Sequence, residues 1–330
     1  MKATRLHARP KLPIVSLLLL GALLTPSRLS ARNDRSRLKN FQHVITIMME
    51  NTGFDSLIGN PNAPFVNAAA ANYGLAKTYY GVAHPSQPNY IAATSGSTNG
   101  VADDNDTTID VPNIVDQLEA NRKGWKAYMQ SYSLCVTPLD HSCGNQLYER
   151  KHNPFISYQD VQSNPARVAN IVDFSQFATD LASGKVADYT WISPDQCNDM
   201  HGRASTPDDP CDFSQEQALI AAGDAFLQST VSAIMNSKAW TGNSIIFITW
   251  DESDFPFGDT SGCCDANPGG GHVVTITISH SDHSPRTSNV AYNHQSMLAT
   301  IEDGWQLGCL AFTCDTVNVP PMSDLVGPGK

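Results

Sequence analysis

Positive charge is what this chain has least of. Its 330 residues carry 21 Lys and Arg against 32 Asp and Glu, a formal net charge of −11. That excess argues against nucleic acid or an anionic membrane as a partner, because both would be repelled. CxxC spacing is absent from its eight cysteines, which removes the usual signature of a zinc cluster. The longest apolar run, residues 12–24, has 13 residues where a bilayer span needs roughly 20. No repeat, coiled coil or low-complexity tail is visible, and no break in composition marks a second domain.

Residues 1–31 read as a secretory signal peptide. Lys2, Arg5, Arg9 and Lys11 precede the apolar run, and the small residues Ser30 and Ala31 follow it. No twin-arginine pair precedes the run, so the general secretory route is expected. Cleavage there takes away five basic and no acidic residues and moves the net charge from −11 to −16. Residues 32–330 suffice for one large α/β domain with a buried core. The expected location is extracellular, periplasmic or in the cell wall, with no stable membrane insertion. An even cysteine count in an exported chain reads as disulfides. Short-range pairs such as Cys135–Cys143, Cys197–Cys211 and Cys309–Cys314 would staple loops, and Cys263 and Cys264 could join only with strain. Asn105-Asp106-Thr107 is an acceptor for N-glycosylation in a host that glycosylates.

Three short β-branched runs read as buried strands: HVITIMM at 43–49, SIIFITW at 244–250 and HVVTITIS at 272–279. Weaker strand patterns lie at 79–82, 125–128 and 188–192. Helical patterns lie at 68–73, 89–95, 113–121, 174–181, 213–235 and 292–305. Residues 130–165 lack periodicity and read as a loop-rich insertion over the site. This alternation predicts an α/β fold, a mostly parallel central sheet flanked by helices on both faces.

In such a sheet the site lies beyond the carboxyl ends of the strands. Glu50-Asn51 follows one strand and Asp251-Glu252 another, and their oxygens are hard ligands for one divalent cation. Ser86 in HPSQPNY precedes a helix start, where unpaired N–H groups favour an anion such as phosphate. Each feature taken singly has an ordinary explanation. Acidic residues often end strands, and serine often caps helices. Adjacent strand residues also point to opposite faces, so both members of a pair reach one metal only if the chain turns there. The candidate acids and phosphate ligands are His84, His152 (in ERKHNPF), Asp199 and His201 (in CNDMHG), His272 after three glycines, and His294 (in AYNHQS). Asn89 and Asn153 are candidate donors to phosphate oxygens.

The pattern Glu50-Asn51-x-x-Phe54-Asp55 after a strand resembles the opening motif of the phosphoesterase family, which contains bacterial phospholipases C and secreted acid phosphatases. HPSQPNYIAATSG, ERKHNPF, CNDMHG, TWDES, GGGHV and YNHQSMLATIED resemble its later motifs in order, over residues 43–303. The resemblance implies an alkaline phosphatase-like fold. It further implies metal ligation by Glu50, Asn51, Ser86, Asp251 and Glu252, with Ser86 as the phosphorylated nucleophile. His84, His152, His201, His272 and His294 would then be catalytic, and Asn89, Asn153 and Asp199 would bind substrate. Thr52 and Gly53 replace the Arg-Ser typical of phospholipases C, and Ser86 and Tyr90 stand where those enzymes carry Thr and Arg. These departures favour the acid-phosphatase-like branch.

The expectation is a secreted, metal-dependent phosphomonoesterase, most active at acidic pH, that acts through a phosphoserine. A phospholipase C-type phosphodiesterase acting on lipid headgroups would use the same centre with a different pocket. A non-catalytic secreted interaction protein is the alternative of another class.

Overall fold

The computed structural model describes Met1 and residues 40–254 and 258–326, so the expected signal peptide lies almost wholly outside the described residues. Its centre is an eight-stranded sheet. In chain order the strands are β1 (Val44–Met49), β2 (Gly74–Ala76), β3 (Trp125–Met129), β4 (Ile171–Asp173), β5 (Tyr189–Ser193), β6 (Ile245–Trp250), β7 (Thr275–Ser279) and β8 (Arg286–Ser288). Across the sheet they run β8-β2-β7-β6-β1-β5-β3-β4. Every pairing is parallel except those of β7, which runs antiparallel to both β6 and β2.

Every residue of β1, β5, β6 and β7 is buried. Side chains alternate across a strand, so full burial requires cover on both faces. The helices supply it in two groups. Ser86–Ser95 packs on His294–Trp305, while Pro64–Asn72 and Ser175–Ser183 pack on Glu216–Met235. Among the described residues, Glu216–Met235 is the one helix long and apolar enough to cross a membrane. Here it buries Leu219, Ile220, Leu227, Val231 and Ile234 in the core. It also buries Asp224, which accepts from the amides of Phe65 and Val66 and so caps the neighbouring helix.

The strongest patterns in the sequence became the central strands. Residues 272–279 contribute less than expected: His272 and Val273 make isolated bridges to Tyr80 and Gly53, and the strand starts at Thr275. The helix expected at 89–95 starts earlier, with Ser86 as its first residue. It ends at Gly96 (φ +75°), where a Cβ would lie 2.2 Å from the Leu310 carbonyl oxygen, so only glycine fits. The insertion at 130–165 is built of short 3₁₀ turns, short helices and a two-stranded ribbon. All eight cysteines are paired, as Cys135–Cys143, Cys197–Cys211, Cys263–Cys264 and Cys309–Cys314.

Glu302, on the helix His294–Trp305, is buried beneath this framework. Its Oε1 accepts from Gln117 Nε2 at 3.0 Å, while Oε2 has no partner among the described residues. Burial pushes its carboxyl up to about 7. A folded-state value above the unfolded one favours the protonated form. Its stabilising contribution is therefore intact below about pH 4.5 and lost as pH rises through 7, at a cost on the order of 2–3 kcal/mol. Glu302→Gln is expected to raise Tm by several degrees at pH 8 and much less at pH 4.5, measured by calorimetry at both values.

Candidate active site

β1 and β6 are paired in register to their last residues, Met49 and Trp250, and the Asp251 amide donates to the Met49 carbonyl. Glu50 and Asp251 therefore emerge side by side from the carboxyl edge of the sheet. The adjacency difficulty at Glu50-Asn51 is resolved by a turn. Asn51 adopts φ +35°, a left-handed conformation that asparagine tolerates, and its amide donates to Asp251 Oδ1 at 2.9 Å. The Glu50 amide donates to the Asp199 carbonyl, which ties in the loop after β5. Gly270 lets the glycine loop lie against residues 81–83, where a Cβ would meet the Ala83 carbonyl at 2.4 Å. That contact fixes the approach to Ser86.

Ser86 is 1% exposed. Its hydroxyl oxygen lies 2.9 Å from Glu50 Oε2, 3.2 Å from Asn51 Oδ1 and 3.2 Å from Glu252 Oε1. One hydroxyl proton cannot serve three acceptors. Asp251 Oδ2 and Glu50 Oε1 are also buried without a hydrogen-bond partner among the described residues. His152 Nε2 lies 3.1 Å from Glu50 Oε1 but is not aligned for a hydrogen bond.

The electrostatics show the same imbalance. Burial, and then the charges of Glu50 and Glu252, push the Asp251 carboxyl well above its usual range. Burial and the charge of Glu50 do the same to Asp199. Glu252 is raised by burial, partly offset by its pairing with His84. Glu50 is the exception: burial pushes it up, but His152, Lys151 and His201 together hold it below the usual range. Glu50 and Glu252 reach the Ser86 hydroxyl directly, Asn51 adds its Oδ1, and Asp251 emerges beside Glu50 with its Oδ2 unpartnered among the described residues; together they form an oxygen donor set that fits a hard divalent cation. The grouping of Asp140 with Cys135 and Cys143 does not, because the two sulfurs are bonded to each other.

The histidines fall into two sets. His84 pairs through Nδ1 with Glu252 and through Nε2 with the Asp259 carbonyl, and the Glu252 bond raises its pKa. His152 lies between Glu50 and Asp199 and stacks on Tyr90, 5.4 Å between ring centres. His201 is held by Asp199, whose Oδ1 accepts from its amide, and it lines a cavity of about 510 Å³ with Lys151, Gln196 and Phe213. These three surround the cluster.

His272 and His294 are placed elsewhere. His272 stacks on Phe54 at 4.3 Å, and its Nε2 bonds the Lys77 carbonyl. His294 is fully buried, with Nδ1 on the Tyr79 hydroxyl and Nε2 2.6 Å from the Asp251 carbonyl, and burial lowers its pKa to about 4. It braces the Asp251 backbone rather than facing Ser86.

Asn89, expected to bind substrate, is instead spent on the backbone. Its Oδ1 accepts from the amides of Val82 and Ala83, and its Nδ2 donates to the carbonyls of Ala83 and Pro85. Both amide hydrogens and both lone pairs are used, so nothing is left for a phosphate. Asn89→Ala would leave two buried amides without an acceptor, and a loss of about 2–4 kcal/mol is expected in denaturant unfolding. Asn153 is fully buried; its Nδ2 donates to the Tyr148 hydroxyl and its Oδ1 has no partner among the described residues. The helix start is also not bare, since Asp104 Oδ1 accepts from the Gln87 amide at 2.9 Å. Asp104 and Lys151 were not picked out in the sequence. Lys151 adjoins His152 in ERKHNPF, a signal that could have found it.

Fold and site together define a phosphoric ester hydrolase with an alkaline phosphatase-like architecture. The structure superposes on a phosphonate monoester hydrolase of Agrobacterium radiobacter with TM-score 0.58 and 12% identity, covering 87% of this chain and 78% of that one. It superposes on a protein in the alkaline phosphatase superfamily from Vibrio parahaemolyticus with TM-score 0.54 and 14% identity, covering 83% and 67%. The sequence profile of the Phosphoesterase family matches residues 60–308, and the chain belongs to that family. Glu50 and Asn51 precede the matched stretch; the sheet brings them to Ser86. The chain is 28% identical over 296 residues to a phosphatidylinositol-3-phosphatase of Mycobacterium tuberculosis, covering 88% of this chain and 85% of that protein. It is 25% identical over 283 residues to an acid phosphatase of Aspergillus fumigatus, covering 82% of this chain but 56% of that longer protein.

Proposed function

We propose that this protein is an exported phosphomonoesterase in which Ser86 attacks phosphorus and is transiently phosphorylated. The observation that carries the reading is the convergence of Glu50, Asn51 and Glu252 on the Ser86 hydroxyl. Glu50, Asn51, Asp251 and Glu252, with Ser86, would hold one divalent cation, which supplies Lewis-acid stabilisation of the serine alkoxide when bound. Glu50 lies where it can take the Ser86 proton. The hydrogen bond from Asn51 fixes the Asp251 carboxylate, and His294 fixes its backbone. His152 orients Glu50 from the side opposite Ser86. His201 lines the cavity and would protonate the leaving alcohol; burial lowers its pKa, so this donation favours acidic pH. Water entering by the same cavity then hydrolyses the phosphoserine.

The names of the similar proteins, acid phosphatases and a phosphatidylinositol-3-phosphatase, favour a monoester over a diester substrate. Four disulfides suit an oxidising compartment and support export. Hydrolysis of p-nitrophenyl phosphate and of phosphatidylcholine by the metal-loaded protein tests the substrate class. Turnover of the monoester with little on the diester is expected, and the reverse preference would establish a phospholipase C-type enzyme.

A further inference from the structure

We propose that Lys151 is a substrate-contacting residue: its ammonium binds a non-bridging oxygen of the phosphate brought to Ser86, and Asp104 is the positioning residue that holds it there. This rests on the reading of Ser86 as the nucleophile.

Lys151 lies next to His152, whose ring faces Glu50. Its side chain is 17% exposed and lines the cavity shared with His201. Asp104 ties it to the nucleophile. One carboxylate oxygen accepts from Lys151 Nζ at 2.8 Å, and the other accepts from the amide of Gln87, the residue after Ser86. The ammonium is thereby fixed beside the first turn of the helix that carries Ser86. Asp104 is its one hydrogen-bond partner among the described residues, so two of its three donors remain for a ligand.

The other basic groups near this wall also have protein partners, although Arg150 and Arg203 each keep an unpartnered Nε among the described residues. Arg150 donates to the carbonyls of Leu139 and Thr107. Arg203 donates to the Asn145 carbonyl and Asp209. His141 pairs with Asp106. A phosphate arriving at Ser86 meets Glu50, Asp199, Asp251 and Glu252. A permanent cation on the cavity side offsets the repulsion that remains after one divalent ion is bound. Burying an ammonium with unused donors is costly unless a ligand supplies the acceptors.

The test uses the metal-loaded full-length mature enzyme and inorganic phosphate as the probe. Lys151→Met is expected to raise the inhibition constant of phosphate and KM for p-nitrophenyl phosphate by about 10–100-fold, the loss of one charge-assisted hydrogen bond. Asp104→Asn, which keeps an acceptor for Gln87, is expected to raise KM with a smaller change in kcat. A phosphate inhibition constant unchanged in a folded Lys151→Met enzyme would overturn the proposal. The wild-type protein gives an arm independent of any variant's folding: acetylation of its lysines, mapped by peptide mass, with and without saturating phosphate. Protection of Lys151 relative to the exposed Lys238 supports the contact, and equal labelling overturns it. If Ser86→Ala retains turnover, the parent reading fails instead, and the acetylation arm still decides whether phosphate reaches Lys151.

Discussion

Replacing Ser86 with alanine is expected to lower kcat for p-nitrophenyl phosphate by roughly 10³–10⁶-fold, the scale on which a nucleophile is lost. The hydroxyl sits at the point where Glu50, Asn51 and Glu252 meet. Water held in the gap would lack the orientation given by the helix start. The same substitution leaves the fold intact. Alanine fits the helical position, and the change costs a single donor to Glu50, about 1 kcal/mol, so Tm should move by only a few degrees. Kinetics and melting are therefore measured on the same preparation. Turnover close to wild type in a folded variant would remove Ser86 from the chemistry.

Asp251→Asn is expected to separate stability from function in opposite directions. In the metal-free protein Asp251 faces Glu50 and Glu252 from a fully buried position, and burial with like charge raises its pKa. A raised carboxyl favours the folded state when protonated. Metal-free wild type therefore loses this contribution as pH rises above the usual carboxylate range toward the folded value. The amide variant keeps an acceptor for the Asn51 amide and removes one of the crowded charges. Without metal, its Tm at pH 7 should exceed that of wild type by several degrees, reflecting about 1–3 kcal/mol of relieved repulsion. With a divalent ion the order reverses: wild type gains stability by ligand linkage, and the variant gains little and has lost most of its phosphatase activity. Melting curves at pH 7 before and after chelation and metal addition check both halves. A metal-free variant no more stable than wild type would show that the carboxylates do not repel one another as the geometry implies.

The central strands were legible because they are short, β-branched and buried on both faces, and the acidic pairs at their ends followed from that reading. The three-residue strands Gly74–Ala76, Ile171–Asp173 and Arg286–Ser288 were not legible. Three residues leave no periodicity, and their pairing is fixed by partners far away in the chain. The turn that lets Glu50 and Asn51 share a centre depends on one left-handed residue, which sequence alone leaves open. Asn89 was misread because a polar side chain near a helix start looks the same whether it faces a ligand or its own backbone. His294 reads as a proton donor in the chain, and the fold buries it with Nε2 on the Asp251 carbonyl, a contact that sequence alone does not signal. Asp104 and Lys151 escaped because their meaning lies in a contact across 47 residues, which no local spacing signals.

The central claim, attack by Ser86 followed by hydrolysis of a phosphoserine, is tested most directly by stereochemistry at phosphorus. A phosphomonoester made chiral with oxygen isotopes is turned over by the metal-loaded enzyme in the presence of an alcohol acceptor, and the configuration of the transferred phosphoryl group is determined. Two successive in-line displacements through Ser86 predict net retention. Net inversion would mean that the acceptor attacks the substrate directly, and the phosphoserine account would be wrong.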